Sequence, residues 1–153
     1  MKTVLLCIAC LFFGSLKAQR QGGNNPKNAN AQQNAYYWMY KGYTAVENGN
    51  YQEAITNYTK AINLDSSFSE AYRYRGIAKC YAKNYYEAIP DFDSAIKLDP
   101  EDAASYNSRG AVYEELHILK VAIKDYAKAV ELAPHNKRYK ENLSDAQDIE
   151  AAK

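Results

Sequence analysis

His117, His135, Cys80 and the serines Ser94, Ser105 and Ser108 are the side chains that could act as metal ligand, general base or nucleophile. Neither histidine has a Cys, Asp or Glu at metal-ligand or triad spacing, and no serine has a base placed to activate it. The chain has no glycine-rich phosphate loop, and a lone cysteine on a helix reads as a small apolar filler. No catalysis, metal or cofactor is therefore expected. What does recur at fixed spacing is a cation and an anion. Arg75 stands sixteen residues before Asp91 and Arg109 sixteen before Asp125, whereas Lys41 faces the neutral Asn57. A partly buried arginine needs a partner, so this spacing reads as one charge pair inside each of two helical hairpins rather than as a ligand site.

The elements that would position these pairs repeat. Gly42, Gly76 and Gly110 are 34 residues apart, as are Ala54, Ala88 and Ala122, and Ala61, Ala95 and Ala129. Pro100 and Pro134 keep the step, with Ser66 in the first copy. A period of this length means stacked helical hairpins. The predicted pairs are 35–48 with 51–64, 69–82 with 85–98, and 103–116 with 119–132. Gly and Ala supply notches where helix axes approach to about 8 Å. The rings Trp38, Tyr72 and Tyr106, then Tyr58, Phe92 and Tyr126, supply knobs. Asn50 with Glu53 and Asn84 with Glu87 have the spacing of capping boxes. The third copy lacks that cap, so the turn from His117 to Lys120 is expected to be the least well defined. Pro90, about a turn into its helix, predicts a slight kink.

Residues 1–18, "MKTVLLCIACLFFGSLKA", have Lys2, an apolar run from Val4 to Phe13 and a small Ala18 before Gln19, which is the grammar of a cleaved signal peptide. The apolar run is about half of the roughly 20 residues a membrane helix needs. A lipoprotein reading through Cys10 leaves almost no apolar run ahead of that cysteine, and Leu16 leaves the cleaved bond open. Export to a periplasm or beyond is the expectation. Cleavage would remove Cys7 and Cys10, so only Cys80 remains and no intramolecular disulfide can form. It would leave 17 basic against 18 acidic residues. Such a balance, without a basic stripe, predicts no nucleic-acid partner. Residues 19–34 are dominated by Asn, Gln and Gly and read as a disordered leader. Residues 137–153 hold an amphipathic helix with Tyr139, Leu143 and Ala146 on one stripe, suited to capping the array. No integral membrane span is expected.

The segments "WMYKGYTAVENGNYQEAITNYTKAINLD", "YRYRGIAKCYAKNYYEAIPDFDSAIKLDP" and "YNSRGAVYEELHILKVAIKDYAKAVELAP" resemble the tetratricopeptide repeat (TPR) family over residues 35–136, in copies 35–68, 69–102 and 103–136. The departures are local. Lys41, Arg75 and Arg109 replace the commonest Leu, and Ala45 and Lys79 replace an aromatic kept only as Tyr113. The resemblance implies an all-α, right-handed superhelical α-solenoid of three TPR hairpins plus a capping helix. It also implies a concave groove, lined by the first helices, that binds a peptide or protein segment. Carried over by position, the candidate binding residues are Tyr36, Met39, Tyr43, Arg73, Ile77, Tyr81, Asn107 and Glu114, with Val46, Glu70, Cys80, Ala104 and Ala111 beside them. That floor is aromatic at one end and acidic at the other. The family's carboxylate clamp for chaperone tails would need Lys, Asn, Asn, Lys and Arg where this chain has Met39, Tyr43, Tyr74, Ala104 and Ser108, so such tails are not expected ligands. The other expectation is a structural or self-associating module, a possible homo-oligomer assembling through the N-terminal aromatic face or the cap helix.

Overall fold

Each hairpin is built around one missing side chain. The second helix of every pair carries a ring that points at a backbone position with no Cβ. A Cβ on Gly76 would lie 2.9 Å from Phe92 Cζ, one on Gly110 would lie 2.8 Å from Tyr126 Cδ1, and Gly42 meets Tyr58 more closely still. These rings are essentially fully buried, as are the flanking Ala54, Ala88 and Ala122 and the alanines Ala61, Ala95 and Ala129. The notches and knobs of the sequence are thus where the rods touch.

The computed structural model describes residues 26–152, and the described residues form helices and turns with no strand. The helices are α1 (Pro26–Glu47), α2 (Tyr51–Leu64), α3 (Ser69–Tyr81), α4 (Tyr85–Leu98), α5 (Ala103–Glu115), α6 (Leu119–Leu132) and α7 (Lys137–Ala151). This is the all-α solenoid expected. α1 pairs with α2, α3 with α4 and α5 with α6, and each pair stacks on the next. First helices of successive hairpins also touch, α1 to α3 and α3 to α5, while the second helices make no comparable contact among the described residues. The first helices therefore form the inner layer.

Between hairpins the register repeats as well. Ala71 packs with Ala61 and Ile62 of α2, Ala78 with Ala54 and Tyr58 of α2, Val112 with Ala88 and Phe92 of α4, and Ala146 with Ala122 and Tyr126 of α6. Since Ala78, Val112 and Ala146 keep the 34-residue step, α7 sits as the first helix of a fourth hairpin would.

Three expectations are corrected. Residues 26–34, read as disordered leader, begin α1. Pro26 stands at the start, where a helix has no use for an N–H, and Ala31 and Gln32 are good helix formers extending from the fully buried Ala35. Residues 1–18, read as a signal peptide, and residues 19–25 lie outside the described residues. Second, Asn50 and Asn84 make no side-chain cap. Each turn is closed by its backbone instead, through a residue at positive φ (Gly49, Lys83, His117). The next N–H then reaches back five residues: Asn50 to Ala45, Asn84 to Lys79 and Ile118 to Tyr113, each at 2.8 Å. Third, the turn at His117 is for that reason as well defined as the other two. Side-chain caps occur elsewhere, at Asp102 for α5 and Asn136 for α7. α4 runs unbroken through Pro90; the Tyr86 carbonyl that loses its partner lies beside one of the most exposed rings of the chain, within reach of water.

In urea unfolding, Gly76→Ala is expected to cost about 1–3 kcal/mol by driving a methyl into the Phe92 ring. His117→Gly is expected to stabilise by about 1 kcal/mol by relieving the left-handed backbone. Unchanged midpoints would contradict this account of the packing.

Candidate functional site

The charges that could serve a ligand must first be separated from those that hold the helices. Arg75 grips Asp91 with both edges of its guanidinium, Nε to Oδ2 at 3.0 Å and Nη2 to Oδ1 at 2.6 Å, and donates through Nη1 to Thr59 of the preceding hairpin. Lys79 adds a contact of 2.9 Å to the same carboxylate. Arg109 repeats the design: it binds Asp125 bidentately at 2.8 Å and donates through Nη1 to Asp93 of the preceding hairpin. The hydrogen bonds to Asp125 raise the affinity of Arg109 for its proton. Both aspartates are buried. The charge pairs read from the sequence therefore exist, and each arginine additionally reaches sixteen residues back to tie two hairpins together.

The inner faces of α1, α3, α5 and α7 remain. Of the eight candidate residues, Tyr43 and Tyr81 are the open ones, 51% and 56% exposed. Glu47 accepts a hydrogen bond from Tyr43 and pushes its phenol up. Tyr81 stacks on Tyr51 with ring centroids 5.2 Å apart. Tyr36 turns its ring edge to Phe68 at 4.8 Å and belongs to the N-terminal core. Met39 packs into the two clusters around α2. Ile77 packs against Ala88, Phe92 and Val112. Arg73 lies over the Tyr74 ring at 4.5 Å. Its Nε is 2.9 Å from Asp102 Oδ2, close enough for ion pairing but not aligned as a hydrogen bond. Asn107 accepts from Asn142 Nδ2 of α7 at 2.8 Å, and Glu114 accepts from the Tyr126 hydroxyl. Tyr36, Met39 and Ile77 are thus chiefly packing residues. Arg73, Asn107 and Glu114 have partners already in hand.

Four contributors were missed. Tyr74 sits between Tyr58, at 6.0 Å, and Arg73. Tyr51 backs Tyr81. Glu115 helps line a depression of about 450 Å³ with Ala111, Glu114, His117, Leu119 and Ile149. α7 contributes through Asn142 and Ile149. Carrying the 34-residue step one copy further would have found the last, because Ser108 and Glu115 map onto Asn142 and Ile149.

Among the described residues no three His, Cys, Asp or Glu side chains are grouped to hold a metal, and no helix is long and apolar enough to cross a membrane. Burial, Glu115 and Asp91 push the Cys80 thiol up to about 11 from 9.0. A shift of this size makes the thiolate about a hundredfold scarcer at neutral pH. Alkylation of Cys80 by iodoacetamide at pH 7.5 is accordingly expected to be at least about a hundredfold slower in the folded protein than in urea, and to accelerate above pH 10. Equal rates in the two states would show that the thiol is neither buried nor perturbed.

Comparison with known proteins agrees with this geometry. The family descriptions "TPR repeat" and "Tetratricopeptide repeat" match residues 42–83 and 75–137. The first TPR of Spaghetti (RPAP3), solved bound to the HSP90 peptide SRMEEVD, is 30% identical with a TM-score of 0.76, over 78% of this chain and 95% of its own. The first TPR domain of human RPAP3 is 29% identical with a TM-score of 0.77, over 79% and 95%. MamA is 26% identical with a TM-score of 0.73, over 82% and 74%. No curated protein matches the sequence.

Proposed function

The chain belongs to the tetratricopeptide repeat family, and on that premise we propose that it is an exported, non-catalytic module that holds an extended peptide or protein segment in the trough lined by α1, α3, α5 and α7. The observation that carries this reading is the state of Tyr43 and Tyr81. The buried charges of the hairpins are paired, yet these two rings stand half open on the inner layer. A half-exposed aromatic beside a polar rim is the usual form of a binding anchor. The Spaghetti domain, similar along nearly its whole length, is bound to a peptide, which supports a peptide as the ligand class. The likeness does not extend to the ligand's chemistry, because Met39, Tyr43, Tyr74, Ala104 and Ser108 offer no cationic clamp for a terminal carboxylate. Export rests on the pattern of residues 1–18.

Affinity purification from the native envelope fraction, comparing the wild-type chain with Tyr43→Ala/Tyr81→Ala, tests both parts. The expected result is a protein retained by the first and lost from the second at unchanged helicity, and a mature N-terminus at Gln19. Identical captures would remove the trough as the working surface, and a chain still starting at Met1 would remove export.

A second reading, self-association, is favoured by the register of α1. Tyr37 and Tyr40, 53% and 58% exposed, occupy the positions at which the following first helix buries Ala71 and stacks Tyr74 against α2. Among the described residues no helix precedes hairpin one, and this face is exposed. The opposite end carries Lys140, Ser144 and Gln147 where a further second helix would sit, all exposed. Head-to-tail growth is therefore disfavoured, and two copies meeting α1 to α1 form the closed pair. Light scattering on residues 19–153 should show a concentration-dependent dimer that Tyr37→Glu/Tyr40→Glu converts to monomer. A wild-type chain that stays monomeric at high concentration would exclude this reading.

A further inference from the structure

The full chain is nearly neutral, with 19 basic and 18 acidic residues, but exposed acids gather at one set of first-helix positions. Glu47, Glu70 and Glu115 stand exposed at trough positions of the hairpins. The docking of α7 in the register of a fourth first helix, tied to α5 by the Asn142–Asn107 hydrogen bond, adds Glu141, Asp145 and Asp148 to the same row, all exposed. Three cations lie among them. Arg73 is taken by Asp102 and the Tyr74 ring, and Arg138 stands at the start of α7. Lys137 touches Glu141 at 3.3 Å, but it is 90% exposed, and so open a pair is easily displaced. The outer layer carries both signs, with Lys60, Lys97 and Lys124 exposed beside Glu53, Glu87 and Asp93.

Glu115 also lies near Cys80, where after burial it is the next cause that pushes the thiol up. The aromatic part of the surface is at the other end, where Tyr43 and Tyr74 lie near each other and Tyr74 is backed by Tyr58. A concave surface lined by one sign of charge, with low-dielectric walls, concentrates ligands of the opposite sign. We infer that the trough takes an extended lysine- or arginine-rich segment carrying one bulky apolar residue, the apolar residue seated against Tyr43 and the cations running toward Glu115 and α7.

This rests on the trough being the binding surface, and it selects a ligand opposite in charge to the acidic SRMEEVD peptide bound to the Spaghetti domain. Fluorescence anisotropy on residues 19–153 separates the two ideas, using a labelled peptide of lysines around one leucine, the same peptide with glutamates, and one with serines. The lysine peptide is expected to bind at least about tenfold more tightly than the glutamate peptide, with affinity falling as salt rises. Asp145→Asn and Asp148→Asn should each weaken it roughly two- to fivefold, and Tyr43→Ala should weaken it further. Neutralising the outer-layer acids Glu53→Gln and Glu87→Gln should leave it unchanged. Equal losses from inner and outer neutralisation would mean diffuse attraction and overturn the inference. Tighter, Tyr43-dependent binding of the serine or glutamate peptide would overturn the charge preference while leaving the trough as the site. Binding of none of the three would overturn the inference, and the trough itself falls only if the purification also fails to depend on Tyr43 and Tyr81.

Discussion

The structure depends on a ring entering a gap where a Cβ would be. An aromatic side chain sixteen residues beyond each repeat glycine lies across that glycine's backbone, which lets the two helices of a hairpin approach more closely than any other residue would allow. The approach is short, so it is specific. A shift of one residue along either helix would oppose a ring to a Cβ, and a rotation would expose the neighbouring alanines. Because the same contact occurs three times at a 34-residue step, the three hairpins are nearly congruent, and congruent units stacked with small residues between them produce a curved array. First helices touching one another while second helices stay apart is the visible result. The trough is a consequence of the glycines.

The paired charges act at the same spacing and add a second kind of selectivity. A guanidinium gripped on two edges by a buried carboxylate is satisfied at one relative rotation of the helices and left uncompensated at most others. Arg75 and Arg109 use their remaining nitrogen on the previous hairpin, at Thr59 and Asp93, so one side chain fixes both the fold of its own unit and the angle to the unit before. Hairpin one, with Lys41 and Asn57 at these positions, has no such pair. It is closed by rings instead: Tyr36 on Phe68 and Lys60 over Trp38 at 4.0 Å. The excess of tyrosine over phenylalanine follows from this design in part, since Tyr126 can pack across Gly110 and still donate to Glu114.

Periodicity made most of the fold legible. Gly42, Gly76 and Gly110 located the crossings, and the sixteen-residue offset located both the rings and the ion pairs. The turns were misread because Asn50 and Asn84 suggest side-chain caps, whereas the closing bonds are made by backbone that carries no side-chain signature. Only Gly49 hints at the left-handed residue that Lys83 and His117 also adopt. α1 was misjudged because a segment rich in Asn and Gln looks like a leader by composition, yet it extends a helix already nucleated by packing. For the site, position along a first helix identified the layer correctly but could not say which residues are spent. Tyr36, Met39 and Ile77 share the register of Tyr43 and Tyr81, and only their neighbours, Phe68, the α2 clusters and Phe92, withdraw them into the core.

The ends of the array explain why function should concentrate where it does. A repeat unit always offers two faces, and each interior unit loses both to its neighbours. At the C-terminal end α7 covers α6 with Ala146 and turns Lys140, Ser144 and Gln147 outward, so that face is closed to further stacking. At the N-terminal end Tyr37 and Tyr40 remain exposed at the positions where Ala71 and Tyr74 of the next unit are packed. The trough differs from both because its residues are excluded from stacking by curvature, not by the lack of a neighbour. Side chains there divide between two states: Tyr36, Met39 and Ile77 are drawn into the core, whereas Tyr43 and Tyr81 stay half open. Glu47, Glu70 and Glu141 stay exposed although each has a local partner.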